Sequence, residues 1–88
     1  MNAYTEAKHI LTTAVALVND EPNAAFQVQG LLDCASSMYR AGFKGLALTL
    51  IGVTHAVEDG HLGEARGLLR IATREMTNLV ANAHHLGQ

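Results

Sequence analysis

The sequence predicts an all-α fold, a compact antiparallel four-helix bundle. The 88-residue chain has one proline and only 5% aromatic residues, and it is rich in alanine and leucine, which favour helix. Apolar residues recur every three or four positions in four segments, and no segment alternates with a period of two, so we expect no sheet. Because the breaks between the segments are short, consecutive helices should be antiparallel neighbours.

The predicted helices belong to a single domain over residues 1–88. They are expected at about residues 4–19, 23–41, 43–59 and 61–85. Pro22 lies in the first break, and Asn23 is a candidate N-cap for the second helix. Gly42 and Gly60 are suited to the left-handed conformation that ends a helix. The fourth helix keeps the most regular apolar spacing, from Leu62 to Ala83.

The spacing of Gly60, Ala65, Leu69 and Ala72 resembles the second helix of a tetratricopeptide repeat. The resemblance covers residues 60–72. The preceding helix departs from the repeat, because Val53 stands where a small residue is expected. The resemblance implies a stack of helical hairpins as an alternative to the bundle.

Composition points to a protein partner. Hydrophobic residues make up 49% of the chain and charged residues only 16%, against about 25% in typical domains. Either several apolar side chains are exposed or another chain covers them, so we expect self-association or binding to another protein. The net charge of −2 provides no general attraction to nucleic acid or anionic lipid.

Three features predict a cytoplasmic location. The single cysteine, Cys34, cannot form an intrachain disulfide and suits a reducing compartment. The first residues lack the charged and apolar regions of a signal peptide. No apolar run reaches the length of a membrane span, so we expect no membrane association.

The third helix, within FKGLALTLIGVTHAVEDG, is uncharged over most of its length. One side carries large residues, namely Phe43, Leu46, Leu50, Val53 and Val57. Another carries small ones, namely Gly45, Thr49, Gly52 and Ala56. The second helix has a similar small strip, formed by Gly30, Cys34, Ser37 and Ala41. Since each glycine costs about 1 kcal/mol in helix propensity, we expect the two small strips to pack closely against each other.

Leu48 and Ile51 fall between the two sides of the third helix and have no evident place in the core. His55 follows on the same side. We predict that these three residues contact a partner.

The fourth helix carries Arg66, Arg70 and Arg74 at intervals of four, half of the chain's Lys and Arg. No acidic residue lies three or four positions from any of them, so no pair within the helix neutralises the charge. The stripe is interpreted either as a docking face for an acidic partner or for phosphates, or as a solvated or internally paired face. The candidate internal partners are Glu6, Asp33, Glu58 and Asp59.

No catalytic or metal-binding set is predicted. The five histidines do not form paired metal motifs, and Gly60 is expected to end the helix inside Glu58-Asp59-Gly60-His61. Cys34 is expected to lie in the middle of a packed helix, where a thiol is unreactive. We therefore expect no enzyme, no metal and no cofactor.

The sequence favours a small non-enzymatic protein–protein interaction module, an adaptor, chaperone or inhibitor that also self-associates. A partner would dock on Leu48 and Ile51 and be oriented by the arginine stripe. The alternative is a nucleic-acid-binding transcriptional regulator that uses the stripe. Three arginines on a net negative chain without neighbouring aromatic residues argue against nucleic acid.

Overall fold

The computed structural model describes residues 2–86, with side chains to residue 83. Within this range the chain forms four α-helices and no strand. They are α1 (Ala3–Asp20), α2 (Ala24–Arg40), α3 (Lys44–Glu58) and α4 (Leu62–Leu86). Three-residue turns at 21–23, 41–43 and 59–61 join them. Every helix end lies within one residue of its predicted position, which confirms the all-α fold.

Asparagine side chains cap the first two helices. Asn23 Oδ1 accepts a hydrogen bond from the Phe26 amide at 3.1 Å, which confirms the predicted cap of α2. Asn2 Oδ1 accepts one from the Thr5 amide at 2.8 Å at the start of α1, a cap that was not predicted. Each bond satisfies an amide that has no partner inside its own helix.

Two glycines end α2 and α3 as predicted. Gly42 has φ 96° and Gly60 has φ 78°, values that side-chain-bearing residues rarely adopt. After Gly42 the Phe43 amide donates to the Met38 carbonyl at 3.0 Å, and the equivalent bond follows Gly60. The reversed chain thereby satisfies carbonyls at the end of the helix and sends the next helix back antiparallel.

The four helices enclose one core. Packing joins α1 to α2, α2 to α3 and α3 to α4, and α1 packs against α4 to close the bundle. An open stack of hairpins, which the tetratricopeptide resemblance implied, is therefore not formed. The largest fully buried apolar side chains are Leu31, Met38, Leu46, Leu50 and Val53.

The large-residue side of α3 faces this core, as predicted. Its members from Leu46 to Val57 are buried, and Phe43 packs against the core at the start of the helix. The Phe43 ring meets the Tyr4 ring edge-on, with ring centroids 5.5 Å apart. α3 has no side-chain N-cap, unlike α1 and α2, and it depends on this burial for its stability.

The small strips of α2 and α3 do not pack against each other, so that prediction was wrong. A Cβ added to Gly45 would lie 3.5 Å from Glu75 Oε1, and one added to Gly52 would lie 3.6 Å from Leu68 Cδ1. Both glycines therefore face α4. These distances are ordinary van der Waals contacts with side chains, so no neighbouring backbone requires a glycine there.

Gly30 of α2 faces α1 instead of α3. A Cβ at this position would lie 2.7 Å from Leu17 Cδ1, closer than normal packing allows. The absence of a side chain at Gly30 therefore lets Leu17 reach the surface of α2, while the opposite side of α2 is left to pack on α3.

Gln27 links the end of α1 to α2. It is buried, and its Nε2 donates to the Leu17 carbonyl at 3.0 Å and to the Val18 carbonyl at 3.2 Å. Both carbonyls belong to the last turn of α1, where the helix provides no amide donor for them. One side chain thus satisfies two carbonyls and joins the end of α1 to α2.

Candidate functional site

The predicted contact residues of α3 lie on its outer side. Leu48 is 61% exposed and Ile51 is 38% exposed, so neither is buried in the core. His55 is exposed one turn further on, and its Nδ1 lies 4.0 Å from Glu58 Oε1. Intervals of three and four residues place all three side chains on one side of the helix.

An apolar residue of α4 extends this surface. Ile71 is 60% exposed and lies one turn beyond Leu68, which faces α3 across from Gly52. Because α3 and α4 are antiparallel and Gly52 is opposite Leu68, Leu48 is opposite residue 72 of α4. Leu48 and Ile71 therefore lie at nearly the same height along the bundle. Ile71 was not among the predicted contact residues, although its position off the regular apolar side of α4 distinguishes it in the sequence.

Leu32 of α2 lies at the other side of the same surface. It follows Gly30 by two residues, which is about 200° around a helix, so it faces away from α1 and toward the α3 side. Counted back from the turn at Gly42, Leu32 is at about the level of Gly52, one residue along the helix from Ile51. Leu32 is 47% exposed. We call the surface formed by Leu32, Leu48, Ile51 and Ile71 the apolar belt.

The three arginines of α4 lie together on the side of that helix that faces α1. Arg66 Nε donates to Asn19 Oδ1 of α1 at 3.0 Å. Among the residues with described side chains, none of the three arginines has a carboxylate within 4 Å. The internal pairing considered from the sequence, with Glu6, Asp33, Glu58 or Asp59, is therefore not formed.

These arginines border a groove between α1 and α4. One cavity, of about 620 Å³, is lined by Val15, Asn19, Arg66, Leu69, Arg70, Thr73, Arg74 and Thr77. A second, of about 370 Å³, is lined by Lys8, Leu11, Thr12, Val15, Thr73, Met76, Thr77 and Val80. They share Val15, Thr73 and Thr77, so they form one continuous depression, which we call the α1–α4 groove.

The belt and the arginine stripe lie on different sides of the bundle. Arg66 precedes Leu68 by two residues, so the two side chains project in nearly opposite directions from α4. Leu68 faces α3, whereas Arg66 contacts α1. The structure thus brings the arginines together and groups Leu48, Ile51 and His55, but it does not combine the two sets into one docking surface.

Histidine and cysteine side chains form no reactive arrangement in the described part of the chain. No three His, Cys, Asp or Glu side chains converge there as a metal site would require. His61 Nδ1 lies 3.4 Å from Glu64 Oε2 at the exposed start of α4, and Gly60 separates His61 from α3. The side chains of His84 and His85 lie outside the described residues.

Cys34 is a packing residue in α2. Its thiol is buried in the core, and burial, followed by the nearby charge of Asp33, raises its pKa. Since the thiolate is the reactive form, both causes make the thiol a weaker nucleophile.

Comparison with protein-family models, curated proteins and solved structures finds no match. None of the described helices combines the length and the apolar character needed to cross a membrane.

Proposed function

We propose that this chain is a small non-enzymatic protein-interaction module of the cytoplasm, which pairs with a second copy of itself through the apolar belt. The exposure of Leu48, Ile51 and Ile71 on adjoining helices is the observation that carries the proposal. Single exposed apolar residues are common on monomers, but a contiguous group of them marks an interaction surface. An adaptor, a chaperone or an inhibitor of another protein fits such a module.

A second copy is a suitable cover for the belt because the belt is apolar and formed by rigid helices. In a twofold dimer the same surface patch forms both sides of the interface, so the apolar belt of one copy would face the apolar belt of the other. His55 lies at the edge of the belt with Glu58 beside it, which provides a polar rim.

Charge placed in the belt tests this proposal. Burying a leucine side chain contributes about 1.5–3 kcal/mol, and the 61% exposure of Leu48 leaves about 1–2 kcal/mol of that for each copy. Both copies lose it in Leu48→Glu, so the dimer dissociation constant should rise about 30-fold or more. Sedimentation velocity over a concentration series measures this constant.

Ala16→Glu is the matched control, because it adds the same charge to an exposed position of α1. It should leave the dimer unchanged, while Ile71→Glu should weaken it as Leu48→Glu does. Helical circular dichroism should be preserved in all three variants. A Leu48→Glu protein that dimerises as wild type does would overturn the proposed interface.

A further inference from the structure

We propose that the α1–α4 groove binds an acidic amphipathic helix of a partner protein. The inference rests on the proposed function as an interaction module and adds the class of partner. It concerns a surface separate from the apolar belt, so the same chain can pair with its own copy and hold another protein.

The groove has the dimensions of a helix docking site. Along α1 it runs from Lys8 to Asn19, and along α4 from Arg66 to Val80. At a rise of about 1.5 Å per residue these segments span about 17 and 21 Å, three to four helical turns. An amphipathic helix of about 12–14 residues therefore matches its length. Recognition of such a helix in a groove uses apolar residues at intervals of three and four.

The floor of the groove is apolar. It is formed by Leu11, Val15, Leu69, Met76 and Val80. The threonines that line it are already bonded within their own helices. Thr12, Thr73 and Thr77 each donate a hydroxyl hydrogen bond to the carbonyl four residues earlier, at 3.0, 2.9 and 3.0 Å. The groove therefore requires few hydrogen bonds from an occupant, and it suits an apolar helix face better than a small polar ligand.

The rim of the groove is positive. Four of the chain's six Lys and Arg residues line it, Lys8 on α1 and the three arginines on α4. No acidic residue is among the described side chains that line either part. Among the described side chains, the only hydrogen bond that engages an arginine of the rim is that from Arg66 to the neutral amide of Asn19. No carboxylate among the described residues pairs with these guanidinium groups, and acidic side chains of a partner would provide that counter-charge.

The spacing of the arginines favours a helical partner over an extended one. Arg66, Arg70 and Arg74 are four residues apart, so their backbones lie about 6 Å from one another along α4. Glutamates at positions i, i+4 and i+8 of a second helix have the same spacing. An aligned helix can therefore pair several carboxylates with the rim while its apolar side enters the groove.

Fluorescence anisotropy with a designed peptide tests the inference. The probe is an 18-residue labelled helix with leucines at intervals of three and four, and with glutamates beside them. A second peptide keeps the leucines and carries lysines in place of the glutamates. The full chain should bind the glutamate peptide, with an affinity that falls as salt rises, and it should not bind the lysine peptide.

Three variants locate the binding. The double variant Arg70→Ala/Arg74→Ala should weaken binding about tenfold, since each rim pair contributes a modest factor. Thr77→Trp should weaken it about as much by filling the groove while keeping every arginine. Arg40→Ala, which removes an exposed arginine outside the groove, is the control and should have no effect. Equal loss with Arg40→Ala, or no loss with Thr77→Trp, would indicate general charge attraction and overturn the inference.

The experiment also separates this inference from the proposed self-association and from nucleic-acid binding. Leu48→Glu should bind the glutamate peptide as wild type does, which would support two independent surfaces. A wild-type chain that dimerises but does not bind the glutamate peptide would refute helix binding in the groove and leave the proposed self-association intact. A monomeric wild-type chain that binds it would support the groove alone. Stronger binding to a 20-base-pair DNA duplex, lost in the double arginine variant, would overturn the inference in favour of a nucleic-acid regulator.

Discussion

Replacing Gln27 by leucine should destabilise the fold far more than a glutamine substitution normally does. The variant removes both hydrogen bonds to the Leu17 and Val18 carbonyls, at 3.0 and 3.2 Å, and leaves these acceptors without a partner in a region that Gln27 itself buries. Two orphaned carbonyls cost about 2–4 kcal/mol together. The more apolar leucine offsets about 1 kcal/mol. The free energy of unfolding should therefore fall by about 2 kcal/mol, which is about 10 °C in Tm for a domain of this size.

Urea and thermal unfolding followed by circular dichroism measure this loss, with Gln29→Leu as the control. Gln29 is an exposed glutamine on the same helix, so its substitution should change stability by less than about 0.5 kcal/mol. Equal small effects of the two substitutions would refute the role assigned to Gln27, because they would mean that water can satisfy the α1 carbonyls.

Three further predictions concern two glycines and the thiol. Gly52→Ala should raise the free energy of unfolding by about 0.5–1 kcal/mol in urea titrations, because a Cβ fits 3.6 Å from Leu68 and the helix gains propensity. A Gly52→Ala protein less stable than wild type would show that α3 and α4 pack too closely for a Cβ at this position. Gly60→Ala should instead lower the free energy of unfolding by about 1–2 kcal/mol, because φ is 78° at Gly60. Cys34 should react with a thiol reagent far more slowly in the folded protein than in urea, and the folded rate should rise with pH, because burial raises the thiol pKa. Rapid labelling of the folded protein at neutral pH would contradict a buried thiol.

The periodicity of the sequence was sufficient for the fold class and the helix ends. Glycine and proline interrupt the apolar pattern at the same positions where the chain turns, and Asn23 caps a helix as its position predicted. The large-residue side of α3 had to be buried, and Leu48 and Ile51 had to be left outside it. These properties depend on one helix at a time, which is why a single sequence determines them.

Contacts between helices could not be predicted in the same way. A helical wheel gives the direction of a side chain around its own axis, but it does not say which neighbour lies there. The small strips of α2 and α3 were therefore paired wrongly, and Gly30 was found against Leu17. The α1–α4 groove depends on closure of the bundle by the first and last helices, and Gln27 is recognisable only when the end of α1 lies beside it.

Sedimentation equilibrium of the wild-type chain over a wide concentration range tests the central claim most directly. The chain mass is 9.4 kDa. Self-association through the apolar belt predicts an average mass that rises with concentration toward twice that value. A mass that stays at a single chain up to the highest concentration would contradict the account, because Leu48, Ile51 and Ile71 would then be exposed without a second copy to cover them.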